Sequence, residues 1–183
     1  MDLESYPIME GIFVVLLIMS PAYLANTIAV LTGGKYPIDQ GKFHSDGNRI
    51  LGDGKTWSGL IGGTIGGVIV GYGLILFINE YIWEFLNISI LFLLSFGALF
   101  GDITASFYKR RQSLQRGEKF AILDMYDFIF MSLLMCFIFQ RDWLLSWILD
   151  GWVPLFTILV LTPFLHRGVN IIGYKIGVKN EPW

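Results

Sequence analysis

Apolar residues in this chain come in runs long enough to cross a bilayer, and that decides what it can fold into. Five runs, at about 8–30, 57–79, 85–107, 120–139 and 150–172, each approach the ~20 residues that a helix needs to span ~30 Å of hydrocarbon. Inside hydrocarbon a backbone can satisfy its hydrogen bonds only within its own helix or a closed barrel. With 54% hydrophobic and only 15% charged residues among 183, the chain lacks the charged helix faces of a soluble domain. The expectation is therefore an all-α integral membrane protein of about five transmembrane helices. It forms one membrane domain over residues 1–183, with two polar loops at about 32–56 and 108–119. The first run does not read as a cleaved leader, because Asp2 and Glu4 precede it and no small-residue cleavage pattern follows.

Charge sets the orientation. All but one of the 13 Lys and Arg fall on one side of this topology: Lys35, Lys42, Arg49 and Lys55 in the first loop, Lys109, Arg110, Arg111, Arg116 and Lys119 in the second, and Arg167, Lys175 and Lys179 in the tail. The other side holds Arg141 with Glu80, Glu84, Asp142 and Asp150. The positive-inside rule then puts the N-terminus outside, and the C-terminus and both polar loops in the cytoplasm. Basic residues at the inner leaflet attract anionic membrane lipids; no nucleic-acid partner is expected. The lone Cys136 forms no intrachain disulfide or Cys-based zinc site and reads as packing. His44 and His166 are too few and too far apart for a His motif, so a metal site would be built from oxygen ligands, favouring Mg²⁺ or Mn²⁺.

The first loop is rich in Gly and Asp and has almost no aliphatic residues, so by itself it should be disordered. Its spaced, non-repetitive Gly and Asp point to a ligand-closing loop rather than a linker. In the second run Gly59, Gly63, Gly67 and Gly71, with Gly62 and Gly66 beside them, share a helix face and predict close packing in the bundle. A dimer contact stays open as the other use of that face. Pro21 removes a backbone donor inside the first run. Asn26, near its cytoplasmic end, has two roles open: a cap or bond to a neighbouring helix, or contact with a ligand.

Residues 101–127 carry the chemistry. Asp102 closes one apolar run, a basic cluster follows, and Asp124 and Asp127 stand just inside the next run. Carboxylates at membrane depth are costly and mark function. Asp124 and Asp127 are i and i+3, so both reach one point from one helix face. Two such acids repel each other unless a divalent cation or a basic side chain intervenes, and Asp102 can join them from the neighbouring antiparallel span. The sequence GDGKT at 52–56 lacks the first glycine of a Walker A loop, since Arg49 stands there. It opens the second span, where free N–H groups and the helix dipole favour an anion. Two readings remain: phosphate contact through Gly52, Asp53, Gly54, Lys55 and Thr56, or a helix cap made by Asp53 or Thr56.

Neither the DDxxD of prenyl-diphosphate enzymes nor the DGxxAR of CDP-alcohol phosphotransferases is present. By contrast, Gly101-Asp102, Ser106, Lys109-Arg110 and then Asp124-x-x-Asp127 resemble the C-terminal signature of CDP-diacylglycerol synthases, with RGEKFAI in place of its central glycine-rich stretch. The first loop narrows the match. Its P-x-D-x-G (Pro37–Gly41), D-G-x-R (Asp46–Arg49) and G-D-G-K-T (Gly52–Thr56) series resembles the archaeal CDP-archaeol synthases, and the resemblance covers most of residues 20–130. It implies a cytidylyltransferase acting on CTP and 2,3-di-O-geranylgeranyl-sn-glycerol 1-phosphate, an isoprenoid ether-lipid phosphate, in an archaeal membrane.

On that reading the lipid phosphate attacks the α-phosphorus of CTP and pyrophosphate leaves. The nucleophile is already anionic, so the task is positioning and charge neutralisation, without a Ser–His pair. Asp102, Asp124 and Asp127 are the expected Mg²⁺ ligands, and with Lys109 the expected catalytic set. Lys109 and Arg110 neutralise phosphate, as does Lys55. Ser106 bonds either a phosphate or its own helix. Asp39, Asp46 and Arg49 order the loop or read the cytosine. The rival is a small transporter or channel using Asp102, Asp124 and Asp127 as an ion site; against it, these acids cluster at one end of the spans and no inverted repeat is visible. A non-catalytic scaffold would leave the polar loop unexplained.

Overall fold

The computed structural model describes residues 7–78, 85–115, 118, 120–175 and 177, and every regular element among them is helical. Asp2, Glu4, Glu80, Glu84, Arg116, Lys119 and Lys179, which entered the sequence reading, lie outside the described residues. Helix α1 spans Ile8–Thr32, α2 Trp57–Ile78, α3 Ile88–Arg111 and α4 Ala121–Phe139. A short α5, Arg141–Ile148, leads into a last helical stretch made of α6 Val153–Phe156, a π-helical turn Thr157–Leu161 and α7 Thr162–Lys175. Among the described residues Ile8–Thr32, Trp57–Leu74, Ile88–Arg111 and Val153–Lys175 are long and apolar enough to cross a membrane. The remaining expected span is α4, 19 residues long with Asp124 in its first turn, and it stands outside that set of four.

Helix α3 corrects one boundary. The second polar loop was expected from 108, but the helix runs to Arg111, so Lys109, Arg110 and Arg111 form its last turn. Cations there face the negative end of the helix dipole, which favours continuing the helix. Its start is set by Asn87, whose side chain accepts from the Ile90 N–H at 3.0 Å, an N-cap. The α5 helix was not anticipated; it buries Leu144 and Trp147.

Small residues let the first three helices meet at backbone distance. A Cβ on Gly67 would lie 2.5 Å from the Ser95 hydroxyl on α3 and 2.9 Å from the Pro21 carbonyl oxygen on α1. One on Gly63 would lie 2.7 Å from the Ala25 carbonyl oxygen and 2.9 Å from Leu99. Moving up α2 thus means moving down both α1 and α3, so α2 is antiparallel to each. The glycine face is spent on packing within the chain, while Ile61, Ile65 and Ile69 on the other side of α2 are exposed, as a lipid-facing stripe should be. Pro21 leaves the Leu17 carbonyl without its helical donor, and the Ser20 hydroxyl donates to it at 2.7 Å. Cys136 is buried in the core.

The α3–α4 contact positions the site. Gly97 lies under the backbone of Ser132, where a Cβ would come within 2.6 Å of Cα, and Gly101 meets the carbonyl oxygen of Asp127. The buried Ser132 hydroxyl lies 2.8 Å from the carbonyls of both Leu94 and Phe128. A Gly101→Ala substitution should therefore separate α3 from α4, costing about 1–3 kcal/mol as an overpacked contact does. Gly73→Ala, where a Cβ meets open space, should leave stability unchanged or raised. Thermal unfolding of both variants in detergent measures the difference.

Candidate active site

The loop between α1 and α2 has no apolar core, yet it follows a defined path built around one carboxylate. The Asp39 side chain is fully buried. Arg49 donates to its two oxygens at 2.8 and 3.2 Å, and the backbone N–H groups of Leu51, Gly52 and Gly41 donate at 3.0, 2.9 and 3.1 Å. Burial pushes the Asp39 carboxyl up, but these donors more than reverse it and hold it well below the usual carboxylate range. Isolated bridges join the loop's base at Pro37–Thr56 and, nested within it, its tip at Phe43–Arg49. Arg111 on α3 clamps it from outside: it donates to the Arg49 carbonyl at 2.7 Å and lies 3.3 Å from the Asp46 carboxylate. Of the two roles open to Asp39 and Asp46, ordering the loop is the one these contacts perform.

The same contacts revise the reading of GDGKT. The Gly52 N–H is given to Asp39, and the Lys55 N–H turns back to the Gly52 carbonyl at 3.3 Å. Neither is an open donor for phosphate. Asp53 pairs with Arg49 at 2.8 Å. Thr56 is the helix cap, its hydroxyl accepting from the Gly59 N–H at 3.1 Å, and it does not line the main cavity. Gly52, Asp53 and Gly54 line the cavity beside Lys55, and the cation the motif presents there is the Lys55 ammonium, 2.5 Å from Asp102.

A polar cavity of about 900 Å³ lies where this loop meets the ends of α1, α3, α4 and α7. It gathers nearly every residue singled out from the sequence: Asn26, Arg49, Gly52, Asp53, Gly54, Lys55, Asp102, Ser106, Lys109, Arg110, Asp124 and Asp127. Within it Lys109 donates to both oxygens of Asp124 at 3.0 Å, and the Phe120 N–H donates to the same carboxylate at 2.9 Å. Asp127 accepts from the Phe128 N–H at 2.6 Å and lies within electrostatic range of Asp102, Lys55 and Asp124. Among the described residues, no three His, Cys, Asp or Glu are close enough to form a ready metal cage; two acid–lysine pairs occupy that ground. The Arg110 Nε and the Asn26 Oδ1 are buried with no hydrogen-bond partner, so Asn26 is not serving as a cap.

Several contributors were not singled out in the sequence. Phe43 and Asn48 come from the loop, and His166 and Asn170 from α7. The last two carried a signal: they are polar, four residues apart and inside an apolar run, where polar side chains usually serve function. Thr162 continues the same face one turn earlier, and its hydroxyl meets that of Tyr23 on α1 at 2.8 Å.

A family model described as CarS-like, CDP-archaeol synthase, matches residues 8–183. The CDP-archaeol synthase of Picrophilus torridus is 47% identical over 172 residues, covering 89% of this chain and 92% of that protein. That of Methanospirillum hungatei is 44% identical over 174 residues, covering 90% and 100%, and that of Archaeoglobus fulgidus 39% over 181 residues, covering 91% and 94%. The solved structure of an intramembrane enzyme for archaeal membrane lipids biosynthesis superposes with a TM-score of 0.69 at 29% identity, covering 87% of this chain and 94% of that chain.

The Asp39 cluster yields a test that does not depend on activity. Its folded pKa lies below the unfolded value, so the ordered loop binds fewer protons. The stabilisation is complete above about pH 4 and drains away as pH falls further, through the folded value. Hydrogen exchange at Leu51 and Gly52 should stay slow from pH 7 to about pH 4 once corrected for intrinsic rates. Asp39→Asn should speed it by weakening the loop by about 2 kcal/mol, the worth of a lost charge-assisted bond.

Proposed function

The chain belongs to the CDP-archaeol synthase family, and on that premise we propose that its cavity joins CTP to the phosphate of an isoprenoid ether lipid. The protein is a multi-pass membrane enzyme of lipid synthesis, a cytidylyltransferase that forms CDP-archaeol. In the proposed reaction an oxygen of 2,3-di-O-geranylgeranyl-sn-glycerol 1-phosphate forms a bond to the α-phosphorus of CTP. The α–β phosphoanhydride bond breaks, and its electrons leave with pyrophosphate. The phosphate nucleophile is already ionised, so no side chain has to remove a proton. The barrier is the approach of two anions, and positioned positive charge lowers it.

One observation carries this reading: Asp102, Asp124 and Asp127 face the same polar cavity as Lys55, Lys109, Arg49 and Arg110. Arg110, with its buried Nε lacking a protein partner, suits a phosphate oxygen. Lys55 and Lys109, paired with Asp102 and Asp124, present ammonium groups to the triphosphate. Ser106 lines the cavity one helical turn from Asp102 and is assigned to a phosphate oxygen. Arg49, tied to Asp39 and Asp53, shapes the wall on which the nucleotide lies.

The donor set also fits Mg²⁺. Asp102, Asp124 and Asp127 supply only hard oxygen ligands, and a bound cation would take the oxygens that Lys55 and Lys109 now hold. When bound, Mg²⁺ supplies neutralisation of the triphosphate and of the departing pyrophosphate. The topology belongs to the same proposal: N-terminus outside, C-terminus and both polar loops cytoplasmic, α4 as the fifth span. CTP is then met on the cytoplasmic side. An ion-channel use of the three acids is disfavoured, because two of them are tied to lysines at one end of the bundle.

Purified protein should release pyrophosphate only when CTP, the unsaturated ether-lipid phosphate and Mg²⁺ are all present. Release without the lipid, or none with all three, would refute the reaction. Lys55→Ala should raise the CTP concentration needed for half-maximal rate by about tenfold or more, the worth of one charge-assisted hydrogen bond. An unchanged requirement would remove Lys55 from the nucleotide's contacts.

A further inference from the structure

The cavity lining divides by charge, and its two parts suit different substrates. The charged part comes from the polar loop and from the ends of α3 and α4, and includes Arg49, Lys55, Lys109 and Arg110. The amide and imidazole part comes from two other membrane-crossing helices, Asn26 on α1 with His166 and Asn170 on α7. We infer that Asn26, His166 and Asn170 form the subsite for the lipid phosphate, separate from the contacts that hold CTP. This inference rests on the reaction proposed above.

Three observations support the assignment. First, Asn170 is 5% exposed and the Asn26 Oδ1 is buried without a partner, although both stand on apolar spans where a polar amide is costly. Both line the cavity, and the Asn26 Oδ1 is left for a ligand to bond. Second, His166 and Asn170 are i and i+4 and share one face of α7, and the Tyr23–Thr162 hydrogen bond one turn earlier fixes that face against α1. Third, the His166 ring packs edge-on against Phe128 with centroids 5.2 Å apart, and Phe128 directly follows Asp127. The subsite therefore adjoins the acids at which the nucleotide is proposed to react.

The chemistry matches a lipid headgroup better than a nucleotide triphosphate. A lipid phosphate is confined to the interface by its own hydrocarbon chains, so it enters from the spans, not from the loop. Amide and imidazole groups offer directed hydrogen bonds without adding fixed charge between the helices. The triphosphate, arriving from water with several charges, meets the Lys and Arg. Val30, on the same helix as Asn26, lines the cavity and is 45% exposed, which gives the first carbons of the lipid an apolar edge.

The test separates the two substrates kinetically. His166→Ala and Asn170→Ala should each raise the KM for the ether-lipid phosphate by about tenfold, with the KM for CTP within twofold. CTP affinity measured by calorimetry without lipid should be unchanged. His166→Gln keeps a hydrogen-bond donor and should recover most of the loss, which a purely structural role would not explain. A rise in the KM for CTP alone, or no change in either KM while the wild type turns over, would overturn this subsite and leave the reaction standing. A wild type that releases no pyrophosphate would overturn both.

Discussion

The backbone contact between Gly101 and Asp127 is the constraint on which the rest of this molecule depends. Because α3 can approach α4 so closely there, the residue after that glycine, Asp102, and Asp127 face one cavity instead of separate surfaces. That arrangement sets like charges near one another at the end of a hydrocarbon-embedded bundle, where an uncompensated charge is heavily penalised. Compensation comes from two other parts of the chain. Lys55 is delivered by the first loop onto Asp102, and Lys109 reaches from the last turn of α3 to Asp124 on α4. The electrostatic network therefore also ties elements together, the first loop to α3 through Lys55–Asp102 and α3 to the next helix, α4, through Lys109–Asp124.

Loop order follows from the same economy of charge. A segment with so few aliphatic residues has no hydrophobic driving force to fold, and Asp39 takes the place of a core by gathering Arg49 and three backbone N–H groups. Arg111 then fastens the loop to α3. The consequence for function is that the wall carrying Arg49 and Lys55 is held by a buried carboxylate, not left to close on the ligand from a disordered state. A preorganised wall costs less entropy when substrate binds.

Much of this was legible in the sequence. Run length alone gives the positions of four long apolar helices, and the glycine spacing on α2 correctly signals close packing within the chain. The cavity-lining acids and lysines were visible because ionisable residues stand out in apolar runs. Other features depend on tertiary facts that local pattern does not encode. GDGKT has the composition of a phosphate loop, but the Gly52 N–H is claimed by Asp39, thirteen residues earlier, and Thr56 is spent on capping α2. The α3 helix outruns its apolar stretch because its cationic last turn suits the helix C-terminus. His166 and Asn170 line the cavity together, a pairing one helical turn apart that a search for histidine metal motifs does not look for.

Cooperation of the three carboxylates with CTP is the central claim, and calorimetric titration of CTP into the purified protein, with and without Mg²⁺, tests it most directly. The account predicts CTP binding that is tightened by Mg²⁺ in the wild type and in Asp142→Asn, a substitution on α5 away from the cavity, with that tightening abolished in Asp127→Asn. Mg²⁺-dependent CTP binding of equal strength in Asp127→Asn would contradict it.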